Sequence, residues 1–166
     1  MKSDHWKFTS MIATISILLL LLTVTFTLGG GLYEVLVIYP NWKHEVQPDT
    51  LSAKLESSGQ NNAGKRFWPL FSPAQALLSI INMVLAYNYT GPAHNYWLAA
   101  AIIIVINRVI TFSYFIPVML KYIMKPETME TERLKSIVKT WTGLSPLRLL
   151  PEFAAWVLII AALMKF

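Results

Sequence analysis

Four ionisable side chains stand inside apolar runs of this chain: Glu34, Arg108, Arg148 and Glu152. A charge at mid-membrane depth costs about 2.5 to 3.5 kcal/mol on insertion scales, so such groups are expected to face protein, to pair, and to mark function. Two acids and two bases allow complete mutual neutralisation as structural glue, or else the lining of a polar cavity. In a cavity, Glu34 has the chemistry of a general base, because desolvation and a neighbouring arginine tune its proton affinity. Arg108 and Arg148 have the chemistry to hold a phenolate or enolate oxygen as negative charge develops.

Uncharged polar residues recur at helical spacing around these charges. Ser72, Gln75, Ser79, Asn82 and Tyr89 form one stripe, and Asn107, Thr111 and Tyr114 another. Thr23, Thr27, Gly30, Glu34 and Asn41 add a third. At about 1.5 Å of rise per residue, Glu34, Gln75 and Arg148 reach similar depths of roughly 5 to 10 Å. Tyr114 and Glu152 lie deeper on that count, and Arg108 nearest the middle. The expected result is a polar pocket opening toward two long loops and floored by Arg108 and Asn82. Glu34, Arg108 and Arg148 are its candidate catalytic residues; Gln75, Asn82, Asn107, Thr111, Tyr114 and Glu152 are candidate substrate contacts. Glycines 29, 30 and 31, beside Glu34, permit close helix approach or leave room for a ligand. Pro117 and Pro151 free backbone carbonyls near the same level.

Other chemistries fit poorly. The chain has no cysteine, which excludes disulfides, thiolate metal sites and a cysteine nucleophile. His5, His44 and His94 lack the His-x-x-x-His or Glu-x-x-His spacing that sets ligands on one helix face. His44 is the one histidine placed to fold over the pocket mouth. No nucleophile elbow or phosphate-binding loop is present. No metal or cofactor is therefore expected.

The elements that must position these residues follow from composition. The chain has 166 residues, 55 % hydrophobic and 14 % charged, with a formal net charge of +5. Its apolar residues gather into blocks long enough to cross a hydrocarbon layer about 30 Å thick. The spacing predicts transmembrane helices over 8–39, 69–89, 96–124 and 145–164, in an all-α four-helix bundle. The first block is too long for a cleaved secretory signal and is expected to remain in the mature chain. Residues 56–66 read as a solvated linker. Residues 127–142 read as an amphipathic helix at the membrane surface, because Leu134, Ile137, Val138 and Trp141 recur at i, i+3, i+4 and i+7, with Gly143 as its stop. Lysines and arginines concentrate in 40–68 and 121–144, which favours cytoplasmic long loops in a multi-pass protein of the cell membrane. Tyr39, Trp42, Trp68, Tyr122 and Trp141 mark one membrane border on this reading, and Trp6, Tyr89, Tyr96 and Trp97 the other. The basic residues find anionic headgroups there, and no stacking-plus-basic stripe of a nucleic-acid binder appears.

Gly30-Gly31-Leu32-Tyr33-Glu34 followed by Pro40-x-Trp42, then Asn107-Arg108-Val109-Ile110-Thr111 with Pro117, then Trp141 and Arg148, resembles the small four-helix membrane proteins that include anthrone oxygenases. The resemblance implies a four-helix membrane bundle and oxidation of an anthrone to an anthraquinone by dioxygen with no evident metal or flavin. It carries Glu34, Asn107, Arg108 and Arg148 over as site positions; Ser145 departs from the asparagine expected there. The leading expectation is a cofactor-independent oxygenase acting on a hydrophobic anthrone- or quinol-like substrate. On it, Glu34 is the base, Arg108 and Arg148 stabilise the oxyanion, and Asn107, Gln75 and Tyr114 orient the substrate. The alternative is a non-catalytic binder of a lipid, quinone or cofactor, or a structural assembly partner. Expected partners are the bilayer and a hydrophobic small molecule. A transporter would require a homo-oligomer, because four helices carry no inverted repeat.

Overall fold

The computed structural model describes residues 2–166, with side chains from Met11 onward except Thr128. The side chains of Lys2, His5, Trp6 and Lys7 thus lie outside the described residues. Regular structure among the described residues is entirely helical. Four helices are long and apolar enough to cross a membrane: α1 (Met11–Trp42), α3 (Gln60–Tyr87), α4 (His94–Ile123) and α5 (Thr131–Leu163). A shorter helix, α2 (Pro48–Ser57), lies between the first two spans. Helices suit hydrocarbon because they pair every backbone donor within one segment. The spans close into a ring in which α1 packs on α3, α3 on α4, α4 on α5, and α5 back on α1.

The half of the bundle away from the long loops is a packed apolar core. Ile17, Leu20 and Val24 of α1 meet Ala100 and Ile104 of α4 and Ala155 and Ile159 of α5. The alanines let backbones approach closely where larger side chains would hold them apart. Only part of each apolar run faces inward, because a helix turns about 100° per residue. Leu18, Leu19, Leu22, Ile102, Ile106 and Val157 are exposed on the lipid side.

The loop half differs from its sequence reading. Residues 56–66 are not a solvated linker. Gly59 adopts φ 82°, a left-handed conformation that suits glycine, and lets the chain turn from α2 directly into α3. The second span therefore begins at Gln60, well before 69. The amphipathic helix is present as Thr131–Leu144, passes Gly143, and runs through a 3₁₀ turn at Ser145–Arg148 into the last span. Its apolar stripe faces protein, not lipid. Leu134, Val138 and Trp141 pack on Tyr39 and Trp42 of α1, Leu51 and Leu55 of α2, and Phe115 and Ile123 of α4. Tyr39, Trp42 and Trp141 are accordingly buried in this cap and do not form an interfacial belt. Their rings lie at mutual centroid distances of 5.7, 5.4 and 6.2 Å, and the Trp42 and Trp141 N–H groups have protein acceptors, so these side chains gain more by turning inward.

Four widened π-helical turns occur among the described residues, at Glu34–Ile38, Ala63–Phe67, Thr111–Phe115 and Met119–Ile123. The first three end two residues before Pro40, Pro69 and Pro117. A proline supplies no N–H to the carbonyl four residues back and its ring crowds that carbonyl, so the preceding turn opens. All four lie in the loop half.

Candidate functional site

The widened turns surround a cavity of about 350 Å³ between α3, α4 and the cap, lined by Glu34, Gln60, Trp68, Ser72, Thr111, Phe115, Trp141 and Arg148 among others. Apolar side chains, including Pro69, Pro73, Phe112, Ile116, Met119, Leu120 and Met124, form most of its wall.

Glu34 opens the π turn of α1 and is buried. Its Oε1 accepts hydrogen bonds from Trp68 Nε1 at 2.7 Å and Gln60 Nε2 at 3.0 Å, and its Oε2 accepts one from the Tyr39 hydroxyl at 3.1 Å. Trp42 Nε1 donates to Gln60 Oε1 at 3.2 Å and so fixes the amide with its NH₂ toward Glu34. Tyr39 and Trp68 each directly precede a proline, and the turns that those prolines open bring both donors to one carboxylate. Three neutral donors replace much of the hydration that a carboxylate loses on burial.

Arg148 closes the 3₁₀ turn of α5. Its guanidinium stacks 3.8 Å from the Phe115 ring centroid and donates long hydrogen bonds to Thr111 Oγ1 at 3.5 Å and Ser145 Oγ at 3.3 Å. Among the described residues it has no carboxylate within ion-pair distance, and its Nε has no partner. Asn107 Nδ2 donates to the Arg148 main-chain carbonyl at 3.2 Å, which positions the arginine without reaching the cavity. Trp141 Nε1 donates to the Phe115 carbonyl at 2.9 Å and thereby holds the ring beneath Arg148.

Three of the sequence-predicted residues, Glu34, Thr111 and Arg148, therefore share the cavity. Six do not line it. Arg108 forms a buried ion pair with Glu152, so neither charge floors the pocket as expected. Asn82 belongs to the opposite half, where it donates to the Ser16 carbonyl at 3.2 Å and accepts from Trp97 Nε1 at 2.8 Å. Tyr114 and Asn107 face a separate shallow groove beside Pro151. Gln75 is fully buried one turn beyond Ser72, and neither of its amide atoms has a hydrogen-bond partner among the described residues. His44 is exposed in the chain before α2, not folded over the mouth. Gly30 and Gly31 serve close packing, since an added Cβ would lie 2.6 Å from Phe67 at Gly30 and 2.6 Å from Leu149 at Gly31, whereas Gly29 has nothing within 4 Å. Among the described residues no three His, Asp or Glu side chains gather as a metal-ligand set.

Sequence reasoning missed Gln60, Trp68 and Phe115 as site residues and read Tyr39 as a border marker. The aromatic-proline pairs Tyr39-Pro40 and Trp68-Pro69 were the available signal. No known protein-family model, no curated protein and no solved structure matches the chain.

Proposed function

We propose that this protein is a membrane-embedded, cofactor-independent oxygenase that oxidises a hydrophobic anthrone- or quinol-like molecule in the cavity beside Glu34. One observation carries the reading: a carboxylate held by three donors and a guanidinium without a carboxylate partner stand on the wall of one largely apolar cavity. A volume of about 350 Å³ falls in the range of small-molecule sites. The resemblance of the Gly30–Glu34 and Asn107–Thr111 segments to anthrone oxygenases supplies the reaction class.

For an anthrone, Glu34 takes a proton from the ring methylene, and the electron pair moves onto the carbonyl oxygen as an enolate that Arg148 holds. Dioxygen accepts the electrons as a carbon–oxygen bond forms, and protonation gives a hydroperoxide. Loss of the remaining ring proton with cleavage of the O–O bond leaves the second carbonyl and releases water. One dioxygen is consumed and one water formed for each anthrone. Arg108 and Glu152 act in this scheme as a structural pair, a change from the catalytic role expected of Arg108.

The setting is a cell membrane with α2 and the cap on the cytoplasmic side, as the basic residues of 40–68 and 121–144 favour. A second reading, a binder without turnover, draws on the same three donors, which also suit a carboxylate that only anchors a ligand. Oxygen uptake by the purified full-length chain with an anthrone separates the two. The oxygenase consumes oxygen above the spontaneous rate, and Glu34→Gln lowers the excess by roughly 100-fold or more. Equal rates for wild type and Glu34→Gln reject it, and tight binding without uptake selects the binder.

A further inference from the structure

The cavity wall divides by exposure. Glu34, Ser72, Thr111 and Phe115 are buried, whereas Pro69 and Pro73 of α3 and Phe112 and Leu120 of α4 stand exposed while lining the same space. Phe112 and Leu120 are 42 % and 53 % exposed. Both pairs lie within spans long and apolar enough to cross a membrane, and in a bilayer crossed by those spans this edge faces lipid. Toward the loops, Trp141 lines the cavity and belongs to the packed cap of Leu51, Leu55 and Val138.

Spacing gives the opening its shape. Pro69 and Pro73 are four residues apart on one face of α3, and Phe112, Ile116 and Leu120 repeat at the same interval on α4. Two facing stripes make a slot roughly 12 Å tall along α4. The polar groups lie at the inner end of the slot, and Met119 and Met124 add unbranched side chains that adapt to an irregular ligand. A volume of about 350 Å³ is sufficient for a compact ring system.

We infer that the cavity opens sideways into the bilayer between α3 and α4 and takes a tailed amphiphile. The compact polar head lies against Glu34 and Arg148, and the hydrocarbon tail runs out past Pro73 and Leu120 into lipid. This rests on reading the cavity as the ligand site and not on any reaction occurring there.

The full chain in phosphatidylcholine vesicles tests it with a hydroquinone that carries a ten-carbon chain ending in a diazirine. Photolysis is expected to label 69–77 or 112–120 saturably, with competition by the unlabelled tailed hydroquinone. Leu120→Trp, a change on the lipid edge, is expected to weaken the tailed probe about tenfold more than its methyl homologue. Labelling confined to 43–66 or 125–140, no saturable labelling, or equal weakening of both probes overturns the inference. Labelling of the slot without oxygen uptake rejects the oxygenase and leaves the lipid opening standing. Uptake with labelling only at the loops does the reverse.

Discussion

The Glu34 carboxylate and the Arg148 guanidinium line one cavity without forming an ion pair. Opposite charges in a low-dielectric interior attract strongly and would close on each other if nothing restrained them. Here each is held by other groups: Glu34 by Tyr39, Gln60 and Trp68, and Arg148 by Phe115, Thr111 and Ser145. The space between them stays available to a ligand.

The restraint on Glu34 is measurable through its shortest hydrogen bond, the 2.7 Å contact from Trp68 Nε1. Trp68→Phe keeps an aromatic ring and removes the donor. A hydrogen bond to a charged group contributes about 1.5 to 3 kcal/mol, so unfolding in detergent should shift by an amount in that range. Oxygen uptake should fall as well, because Gln60 and Tyr39 alone then hold the carboxylate away from Arg148 less firmly. A variant with unchanged stability and unchanged uptake would show that the indole does not position Glu34.

Arg108 and Glu152 are the contrasting pair, buried, in direct contact and away from the cavity. Removing one member strands the other charge, at a cost of about 3 to 5 kcal/mol. Glu152→Leu and Arg108→Leu should each lower the melting temperature sharply, and the double change Arg108→Leu with Glu152→Leu should recover much of the loss. Thermal unfolding of the four proteins forms the cycle that measures the coupling. Additive losses in the double variant would mean that the charges act independently.

Asn82 gives a second separation of stability from chemistry. It joins three spans, through the Ser16 carbonyl of α1 and the Trp97 indole of α4, in the half opposite the cavity. Asn82→Leu leaves the fully buried Trp97 N–H without an acceptor, which costs about 1 to 3 kcal/mol. Ligand affinity should be retained in the folded fraction. A selective loss of affinity, with stability intact, would return Asn82 to the site.

The four spans were legible because their apolar blocks are long, and the inward position of Glu34 followed from the cost of a charge in lipid. Which charges meet was not legible. Glu34, Arg108, Arg148 and Glu152 admit more than one pairing, and the choice between them depends on helix rotation and on a 3₁₀ turn that periodicity does not encode. Gln60 was hidden for another reason. It lies in a polar, glycine-containing run, and its role comes from side chains at Trp42 and Glu34, the latter 26 residues away. The prolines carried more information than their use as interruptions suggested, since three of them set where the helices widen.

Gly29 and Gly30 differ by one position and should respond oppositely to the same substitution. In a helix interior, glycine is less stable than alanine by roughly 0.5 to 1 kcal/mol. At Gly29 nothing lies within 4 Å of an added Cβ, so Gly29→Ala should raise the melting temperature. At Gly30 the same methyl meets the Phe67 ring at 2.6 and 2.7 Å. That ring packs on Trp68 at 5.0 Å and Phe71 at 4.6 Å between centroids, so it cannot retreat without disturbing a donor to Glu34. Overpacking costs about 1 to 3 kcal/mol, more than the helix gains, so Gly30→Ala should lower the melting temperature. It should also lower oxygen uptake per folded molecule through displacement of Trp68. Equal responses at the two positions would show that α1 and the start of α3 are not in close contact at Gly30.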